Sequence, residues 1–225
     1  MFNPCHFVTT GPDSDIERAN PHFTMGVACD ICVGPQLIIA SGNPVKVAEI
    51  EAMLSPLDLK VSLQPADLDV EETGSTYLEN ASLKAVAASK RTNSWCLADD
   101  SGLEVDALNQ APGLYSARYA EGNQAKIEKL LGELRGTPYR SACFRSTMVL
   151  CSPDGDCVAS ADGVSWGEIL HKPAYEGGGF ESLLWIREAG CSYGEMNPAQ
   201  LSRLGSRGKA ARALATEMKR HLRLR

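Results

Sequence analysis

Two adjacent carboxylates, Asp99 and Asp100, follow directly after the apolar run SWCLA and precede Ser101-Gly102. Carboxylates that leave a buried strand are costly unless a cation or hydrogen bonds compensate their lost hydration. Magnesium is a natural compensator, because it takes one or two carboxylates together with substrate phosphates. The alternative is a turn in which the aspartates accept backbone hydrogen bonds. The desolvation cost favours the metal site.

A second segment with chemical potential is Ser41-Gly42-Asn43-Pro44-Val45-Lys46, which follows the apolar run QLIIAS. A small, flexible turn between a strand and a helix lets backbone N–H groups face a phosphate, with Lys46 in the first turn of the helix. The spacing is not that of GxxxxGK[ST], the phosphate loop of many nucleotidases. An ordinary strand-to-helix turn would have the same composition.

A third segment, Glu71-Glu72-Thr73-Gly74, precedes a predicted helix that carries Asn80 and Lys84. Residues four apart share one face of a helix, so the amide and the lysine should point the same way. The acidic residues could instead only complement the helix dipole. Carboxylates, a lysine at a helix start and a glycine turn together indicate metal-assisted chemistry on a phosphate ester. They do not identify the bond cleaved or the base recognised.

The elements that must position these residues alternate between strands and helices. Thr76-x-x-Glu79 is a capping box that begins one helix, and Pro153-Asp154-Gly155 is a hairpin signal. The order predicts an α/β fold with a mixed sheet. The predicted strands are 36–41, 59–64, 94–98, 144–152 and 156–169, and the predicted helices are 45–54, 77–91, 126–134 and a basic C-terminal helix.

Composition limits the function classes. The 225 residues carry a net charge of −6, which disfavours binding of a nucleic acid polymer. No apolar run reaches the roughly 18 residues of a membrane span, and the N-terminal residues do not resemble a secretory leader. We therefore expect a cytoplasmic protein. The segment 203–225 has eight basic residues and one acidic residue. It is either a solvated helix face or a helix whose first turn contacts an anionic ligand.

Residues 1–35 lack sustained periodicity and are rich in loop-forming residues. We predict that they form a disordered extension ahead of one domain, 36–225. The eight cysteines are expected to be reduced. Cys29-x-x-Cys32 has a metal-binding spacing, but a zinc site would need a second spaced pair, so its role stays open.

At the three polar segments the sequence resembles the inosine triphosphate pyrophosphatase family. SGNPVKVAEI matches the family's TGNxxKxxE, and EETGSTYLENASLKA matches EExGxTFxENAxxKA. LADDSGLEVDAL and APGLYSARYA follow the family almost letter for letter. The similarity extends over about 36–216, with the motifs in family order, and that combination is far more specific than any one motif.

The resemblance implies Mg²⁺-dependent hydrolysis of non-standard purine nucleoside triphosphates between the α and β phosphates, giving a monophosphate and pyrophosphate. It also implies an elongated mixed sheet flanked by helices, two lobes with a central cleft, and a homodimer. By the same resemblance Asp100 is the general base and a metal ligand, assisted by Glu72 and Asp99. The residues implied to bind substrate are Ser41, Gly42, Asn43, Lys46, Lys84, Ser101, Phe180, Ser206 and Arg207.

The C-terminal third departs from the family pattern on the side that binds the base. The family's GFGYDP is replaced by Gly179-Phe180-Glu181-Ser182, a loop two residues shorter that lacks the aspartate. The family's later lysine is Leu201, and its SHRG is Gly205-Ser206-Arg207-Gly208, so the histidine is lost and the arginine stays. Two alternatives therefore stay open, a catalytically weak nucleotide-binding protein and a pyrophosphatase of altered base specificity.

Overall fold

The computed structural model describes residues 34–224. The predicted extension therefore lies outside the described residues except for Gly34 and Pro35, as does the question of Cys29 and Cys32. The described strands are β1 Gln36–Ile39, β2 Lys60–Leu63, β3 Trp95–Val105, β4 Ser141–Cys151, β5 Cys157–Ile169, β6 Leu184–Ile186 and β7 Cys191–Ser192. The described helices are α1 Pro44–Leu54, α2 Tyr77–Thr92, α3 Gly122–Glu133, α4 Pro198–Leu204 and α5 Ser206–Leu222.

The strands form one sheet in the order β2-β1-β3-β4-β5-β6-β7. Strand β1 is parallel to β2 and β3, and the other pairs are antiparallel. The predicted mixed sheet is thus confirmed. Strand β1 pairs with β3 only as far as Leu97, whereas β4 follows β3 to Val105. Beyond Leu97, therefore, one edge of β3 has no strand beside it within the described part of the chain.

Strand β3 is longer than its sequence predicts. The polar run at Asp99 suggested that the strand ends at Ala98, but it continues through both aspartates. Pairing with β4 explains the difference, since Asp99 lies opposite Met148 and Asp100 opposite Thr147 in an unbroken ladder. The alternative of a turn at 99–102 is therefore wrong, and so is the predicted end of the strand at Ala98. The aspartates lie in the middle of a strand, where successive side chains point to opposite faces.

Both faces of the sheet are covered by helices. Leu37, Ile39 and Leu97 pack with α1 and α5 on one face, whereas Ile38, Cys96 and Ala98 pack with α2 on the other. A further cluster, which includes Leu103 and Val105, packs against α3 and the segment before β6. The first two clusters contain β3 residues that precede the polar segment 99–102, and the third contains residues that follow it. Core regions on both sides of this segment agree with the predicted two-lobed fold. No helix between residues 34 and 224 is long and apolar enough to cross a membrane.

Helix α5 lies directly on β5 at Gly163. A Cβ atom added to Gly163 would lie 2.0 Å from the Ser206 carbonyl oxygen and 2.5 Å from the Ala210 nitrogen. Both are backbone atoms, so no side-chain rotation can make room. The close approach also holds the first turn of α5, which carries Arg207, against the sheet.

We predict that Gly163→Ala destabilises the fold by about 1–3 kcal/mol, because the new methyl group overpacks the α5–β5 contact. Gly132→Ala is the matched control, since no described atom lies within 4 Å of its added Cβ in α3. That control should be neutral or stabilising by up to about 1 kcal/mol. Urea unfolding of both variants measures the difference, and equal stabilities would contradict the described packing.

Candidate active site

The segment Ser41–Lys46 leads from β1 into α1 and places a lysine beside β3. Asn43 caps the helix, with its Oδ1 accepting from the N–H groups of Val45 at 3.0 Å and Lys46 at 3.3 Å. The Ser41 hydroxyl oxygen accepts from the Asn43 N–H at 3.2 Å. No described atom would lie within 4 Å of a Cβ at Gly42. The cap therefore fixes the first helical turn and aims Lys46 at Asp99.

The Asp99 carboxylate is buried between two cations. Its Oδ2 lies 2.7 Å from Lys46 Nζ and 3.1 Å from Arg207 Nε, and it accepts a hydrogen bond from the Ser101 hydroxyl at 3.2 Å. Its Oδ1 is buried without a hydrogen-bond partner among the described residues. Burial alone would raise the pKa of Asp99, but the charges of Lys46 and Arg207 hold it well below its usual range.

Arg207 is held by three side chains at once. Besides the contact of Nε with Asp99, Nη1 lies 2.9 Å from Glu49 Oε2, and Nη2 donates to the Ser101 hydroxyl at 2.9 Å. Burial tends to lower the pKa of Arg207, but the charges of Asp99 and Glu49 outweigh this effect and raise the pKa above its usual value. Arg207 in the first turn of the basic helix therefore enters the acidic cluster, whereas Arg212, Lys219 and Arg220 further along α5 are exposed, as expected of a solvated face. Contact of Arg207 with a ligand stays a prediction.

Glu49 is a site residue that sequence reasoning missed as such. It lies three positions after Lys46 on α1, and such residues are neighbours on a helix. It is also the last residue of the quoted SGNPVKVAEI match before Ile50. Its Oε1 is buried without a hydrogen-bond partner in the described part of the chain. The helical spacing from Lys46 could have indicated that Glu49 faces the site. Its pairing with Arg207 could not have been inferred, because the two residues are 158 positions apart along the chain.

The Asp100 carboxylate points to the opposite face of the sheet, toward α2. Its Oδ1 lies 3.0 Å from Lys84 Nζ, and its Oδ2 accepts from Asn80 Nδ2 at 3.3 Å. Lys84 Nζ also lies 2.7 Å from Glu72 Oε1. The predicted common face of Asn80 and Lys84 is thus confirmed. Burial tends to lower the pKa of Lys84, but Asp100 and Glu72 raise it above its usual value.

Asn80 also fixes the loop that carries Glu72. Its Oδ1 accepts from the Gly74 N–H at 2.8 Å, and a Cβ at Gly74 would approach that oxygen to 2.7 Å. The Thr76 hydroxyl caps α2 by accepting from the Glu79 N–H at 3.1 Å. The cap and the amide together hold the 71–74 loop over the N-terminal half of α2, with Glu72 beside Lys84.

The two sides of the site meet at the main-chain carbonyl of Asp99. Lys84 Nζ donates to this oxygen at 3.0 Å and Lys46 Nζ at 3.4 Å. The carbonyl is free to accept both because β1 has already ended and does not pair with this edge of β3. Burial lowers the pKa of Lys46 in spite of the nearby Asp99 carboxylate. Two lysines thus converge on one edge of β3 that is not paired with another strand.

The predicted metal ligands divide between the two faces. Glu72 and Asp100 converge on the same lysine ammonium, and two carboxylates open to substrate phosphates suit a magnesium ion. Asp99 is directed to the other face and is neutralised by Lys46 and Arg207, so the geometry does not support it as a ligand. No group of three or more His, Cys, Asp and Glu side chains suited to a metal is found in residues 34–224. The roles of Glu72 and Asp100 stay predictions.

Two residues predicted to bind substrate, Phe180 and Ser206, are engaged inside the protein. Phe180 is 7% exposed and packs on Tyr119, with ring centroids 5.9 Å apart. The Ser206 hydroxyl lies 2.8 Å from that of Ser146 and 3.4 Å from that of Tyr193. Ser206 adjoins Arg207 at the edge of the charged cluster, whereas Phe180 belongs to the other core region. Their contact with substrate stays a prediction.

The loop that departs from the family pattern closes on itself. Glu181 Oε1 accepts from the Gly179 N–H at 2.7 Å, and the Ser182 hydroxyl donates to the Gly179 carbonyl at 2.7 Å. Phe180–Ser182 accordingly forms a short 3₁₀ turn that leads into β6. The polar groups of the Glu-Ser pair are used to hold this turn.

Comparison with known proteins agrees with this geometry. The model of the Ham1 family matches residues 37–217. A dITP/XTP pyrophosphatase from Synechocystis sp. is 45% identical over 177 residues, which are 78% of this chain and 91% of the relative. One from Nostoc sp. is 43% identical, over 81% of this chain and 93% of the relative. The chain belongs to the Ham1 family.

Solved structures of Ham1 proteins agree with this assignment. The Staphylococcus aureus Ham1 protein superposes with a TM-score of 0.72 at 35% identity, covering 83% of this chain and 99% of that one. A HAM1 protein from Coxiella burnetii superposes with a TM-score of 0.74 at 34% identity, with the same coverage. The resemblance seen in the sequence is thus confirmed. The Ham1 match spans every predicted site residue from Ser41 to Arg207.

We predict that the Asp99 ion pairs stabilise the Ham1 fold in a pH-dependent way. A carboxyl group whose pKa is depressed on folding contributes stability above its unfolded pKa, near 3.9, and that stability is lost as the pH falls toward the folded pKa. Asp99→Asn should therefore cost about 3 kcal/mol or more at pH 7, because it leaves buried cations unpaired. The gap between wild type and variant should narrow below about pH 4.

Urea unfolding at a series of pH values, with a chelator present, measures this gap. Asp67→Asn is the control, because Asp67 pairs with Arg91 on the surface, where both side chains are more than half exposed. It should change stability by less than about 1 kcal/mol at any pH. A gap for Asp99→Asn that does not vary with pH would show that the ion pairs do not hold the carboxylate in its charged form.

Proposed function

We propose that this Ham1 protein is a Mg²⁺-dependent pyrophosphohydrolase that cleaves ITP, dITP and XTP to the monophosphate and pyrophosphate. The observation that carries the proposal is the convergence of Lys46 and Lys84 on the Asp99 carbonyl, beside Asp100 and Glu72. Cations and carboxylates side by side on an unpaired strand edge suit a polyphosphate and its metal ion. The relatives named dITP/XTP pyrophosphatase support the choice of substrate.

Lys46 and Lys84 would bind the triphosphate. Lys46 is largely buried and its pKa is lowered by that burial, so a phosphate that approaches the ammonium would favour its charged form. Lys84 holds Glu72 and Asp100 together by two contacts of 3.0 Å or less. A phosphate that takes over Lys84 would release both carboxylates from this pairing. The ammonium and a divalent cation would thus be alternative partners for the same two acids.

Glu72 and Asp100 would hold the magnesium ion, which when bound neutralises charge on the phosphates. Asp100 would also act as general base and accept the proton of the water that attacks phosphorus. Its Oδ2 makes only the 3.3 Å contact with Asn80 among the described residues, which leaves that oxygen able to accept a further hydrogen bond. Hydrolysis of the anhydride bond between the α and β phosphates would give the monophosphate and pyrophosphate.

Arg207, Ser101 and Ser206 would lie on the side of the base. Specificity arises when a wrong substrate leaves polar groups of the pocket without partners. Here Ser206 stands in place of the family histidine and is bound to Ser146, and the Glu181–Ser182 pair is used to close its own turn. Fewer polar groups are then free to test the base, so we infer a base preference that is relaxed but still favours ITP, dITP and XTP.

The resemblance also leads us to propose that the enzyme is a homodimer and works in the cytoplasm. The acidic charge of the chain fits a small nucleotide ligand better than a nucleic acid polymer. Size-exclusion chromatography with light scattering on the full chain tests the dimer, and a monomer across the micromolar range would contradict it.

The first prediction for turnover concerns Asp100. With Mg²⁺, wild type should release pyrophosphate from ITP, dITP and XTP faster than from ATP and GTP. Asp100→Asn should lower kcat by about 100-fold or more, since it removes the proposed base, while Asp67→Asn should leave kcat unchanged. A pyrophosphate-release assay over all five nucleotides, with and without metal, measures this. Equal rates without metal would contradict the proposal, and tight binding without turnover would favour a nucleotide-binding protein.

The second prediction concerns the proposal that Mg²⁺ replaces the Lys84 ammonium as the partner of Glu72 and Asp100. Lys84→Met removes the internal cation between Glu72 and Asp100, so Mg²⁺ should raise the melting temperature of this variant more than that of wild type. Its KM for ITP should rise about tenfold or more, as expected when one phosphate contact worth about 1.4 kcal/mol is lost. Lys126→Met, in the first part of α3, is the matched control. Equal Mg²⁺ responses in the three proteins would contradict the shared position of the ammonium and the metal.

A further inference from the structure

Two cysteines face each other across the β4–β5 hairpin, apart from the charged cluster. Cys151 ends β4 and Cys157 begins β5, and the two are register partners. The hairpin between them is closed by the Ser152 N–H, which donates to the Asp156 carbonyl at 2.9 Å. Cys157 is close enough to Cys151 to raise the pKa of the Cys151 thiol. This pair has no part in the proposed hydrolysis.

A β-bulge brings the two thiols opposite each other. Leu150 pairs with Ala159, so an unbroken antiparallel ladder would next place Cys151 opposite Val158. The register shifts at this point, and Val158 becomes the extra residue, so that Cys151 pairs with Cys157. Directly opposed residues of an antiparallel pair have Cα atoms about 4.5–5.5 Å apart. A disulfide accepts about 4.4–6.8 Å, so the backbone already has a suitable spacing.

The two thiols differ in access. Cys157 is exposed, whereas Cys151 and its other register partner, Cys96 on β3, are fully buried. A dissolved oxidant can therefore reach Cys157 but neither buried thiol. Burial, together with the neighbouring Cys157, raises the pKa of Cys151, so the Cys151 thiol is the less reactive of the two toward a dissolved oxidant. An exposed thiol beside a buried one is the arrangement of an attacking and a resolving cysteine.

We propose that Cys151 and Cys157 form a reversible disulfide by exchange with a small-molecule disulfide such as oxidised glutathione. The Cys157 thiolate attacks one sulfur of the oxidant, and the S–S bond of the oxidant breaks to release one thiol. Cys151 then loses its proton and attacks the Cys157 sulfur of the mixed disulfide, which releases the second thiol. The protein gives up two protons and two electrons, and the oxidant takes up both and is reduced to two thiols.

The modification is independent of the proposed hydrolase function. Cys151 lies four positions after Thr147, the register partner of Asp100, or about 13 Å along the strand at about 3.3 Å per residue. The new bond would join two residues that are already paired at the hairpin. Oxidised protein should therefore hydrolyse ITP at the same rate as reduced protein, if it is a hydrolase, and the thiol chemistry should occur whether or not it is.

Peptide mass mapping tests the proposal. Trypsin cleaves after Arg145 and Arg187 but not at the Lys172–Pro173 bond, and it yields a peptide, 146–187, with these two cysteines and no others. After the full chain is incubated with oxidised glutathione, this peptide should lose two hydrogen masses, and dithiothreitol should restore it. Cys151→Ser should instead retain a glutathione adduct on Cys157, and Cys157→Ser should show neither product. Cys191→Ser is the control and should behave as wild type.

A stable glutathione adduct on Cys157 in the wild-type peptide would overturn the proposal, because it would show that Cys151 does not resolve the mixed disulfide. An unmodified wild-type peptide would overturn it as well, because it would show that Cys157 does not react. In the Cys157→Ser protein, a disulfide that links Cys151 of this peptide to a second tryptic peptide would do the same, since the bond would then involve another cysteine.

Discussion

The buried ion pairs of Asp99 with Lys46 and Arg207 join the parts of the protein that the site requires. The carboxylate lies on the central strand, the lysine on the first helix after β1 and the arginine on the last helix. Removing one member would leave buried charge without compensation, which costs several kcal/mol. The position of α5 and that of the Ser41–Lys46 turn therefore depend on the same carboxylate.

The geometry of β3 places the adjacent side chains of Asp99 and Asp100 in different environments. Successive side chains in β3 point to opposite faces, so Asp99 enters the space between α1 and α5 while Asp100 faces α2. Asp99 is neutralised by two cations inside the protein, whereas Asp100 and Glu72 share one lysine that is partly open to solvent. The first acid organises the helices, and the second is available for chemistry. Both lysines donate to the Asp99 carbonyl, which lies on the edge of β3 beyond the point where β1 ends.

Much of the fold and of the phosphate side could be predicted from the sequence, because the signals are local. The helix cap at Thr76 and the four-residue spacing of Asn80 and Lys84 depend on neighbours within a few positions. The second half of the predicted capping box is shifted by one residue, because the Glu79 carboxylate accepts from the Ser75 N–H. The extent of β3 could not be predicted, since the polar residues 99–102 remain extended only because β4 pairs with them. The burial of Arg207 and the role of Glu49 depend on a contact across 158 residues. Without the strand, the opposite directions of Asp99 and Asp100 could not be foreseen either.

The departures on the base side form a consistent set of packing contacts. Ser206 is buried under Tyr193 and beside Ser146, and Tyr193 packs on Phe144 with ring centroids 4.8 Å apart. A Cβ at Gly205 would approach the Tyr193 hydroxyl to 3.1 Å, so the start of α5 has little room for larger groups. A histidine at 206 would have to displace Tyr193 or leave the helix. The small serine therefore belongs with the tyrosine, and restoring the family histidine alone would disturb the helix start that holds Arg207 against Asp99.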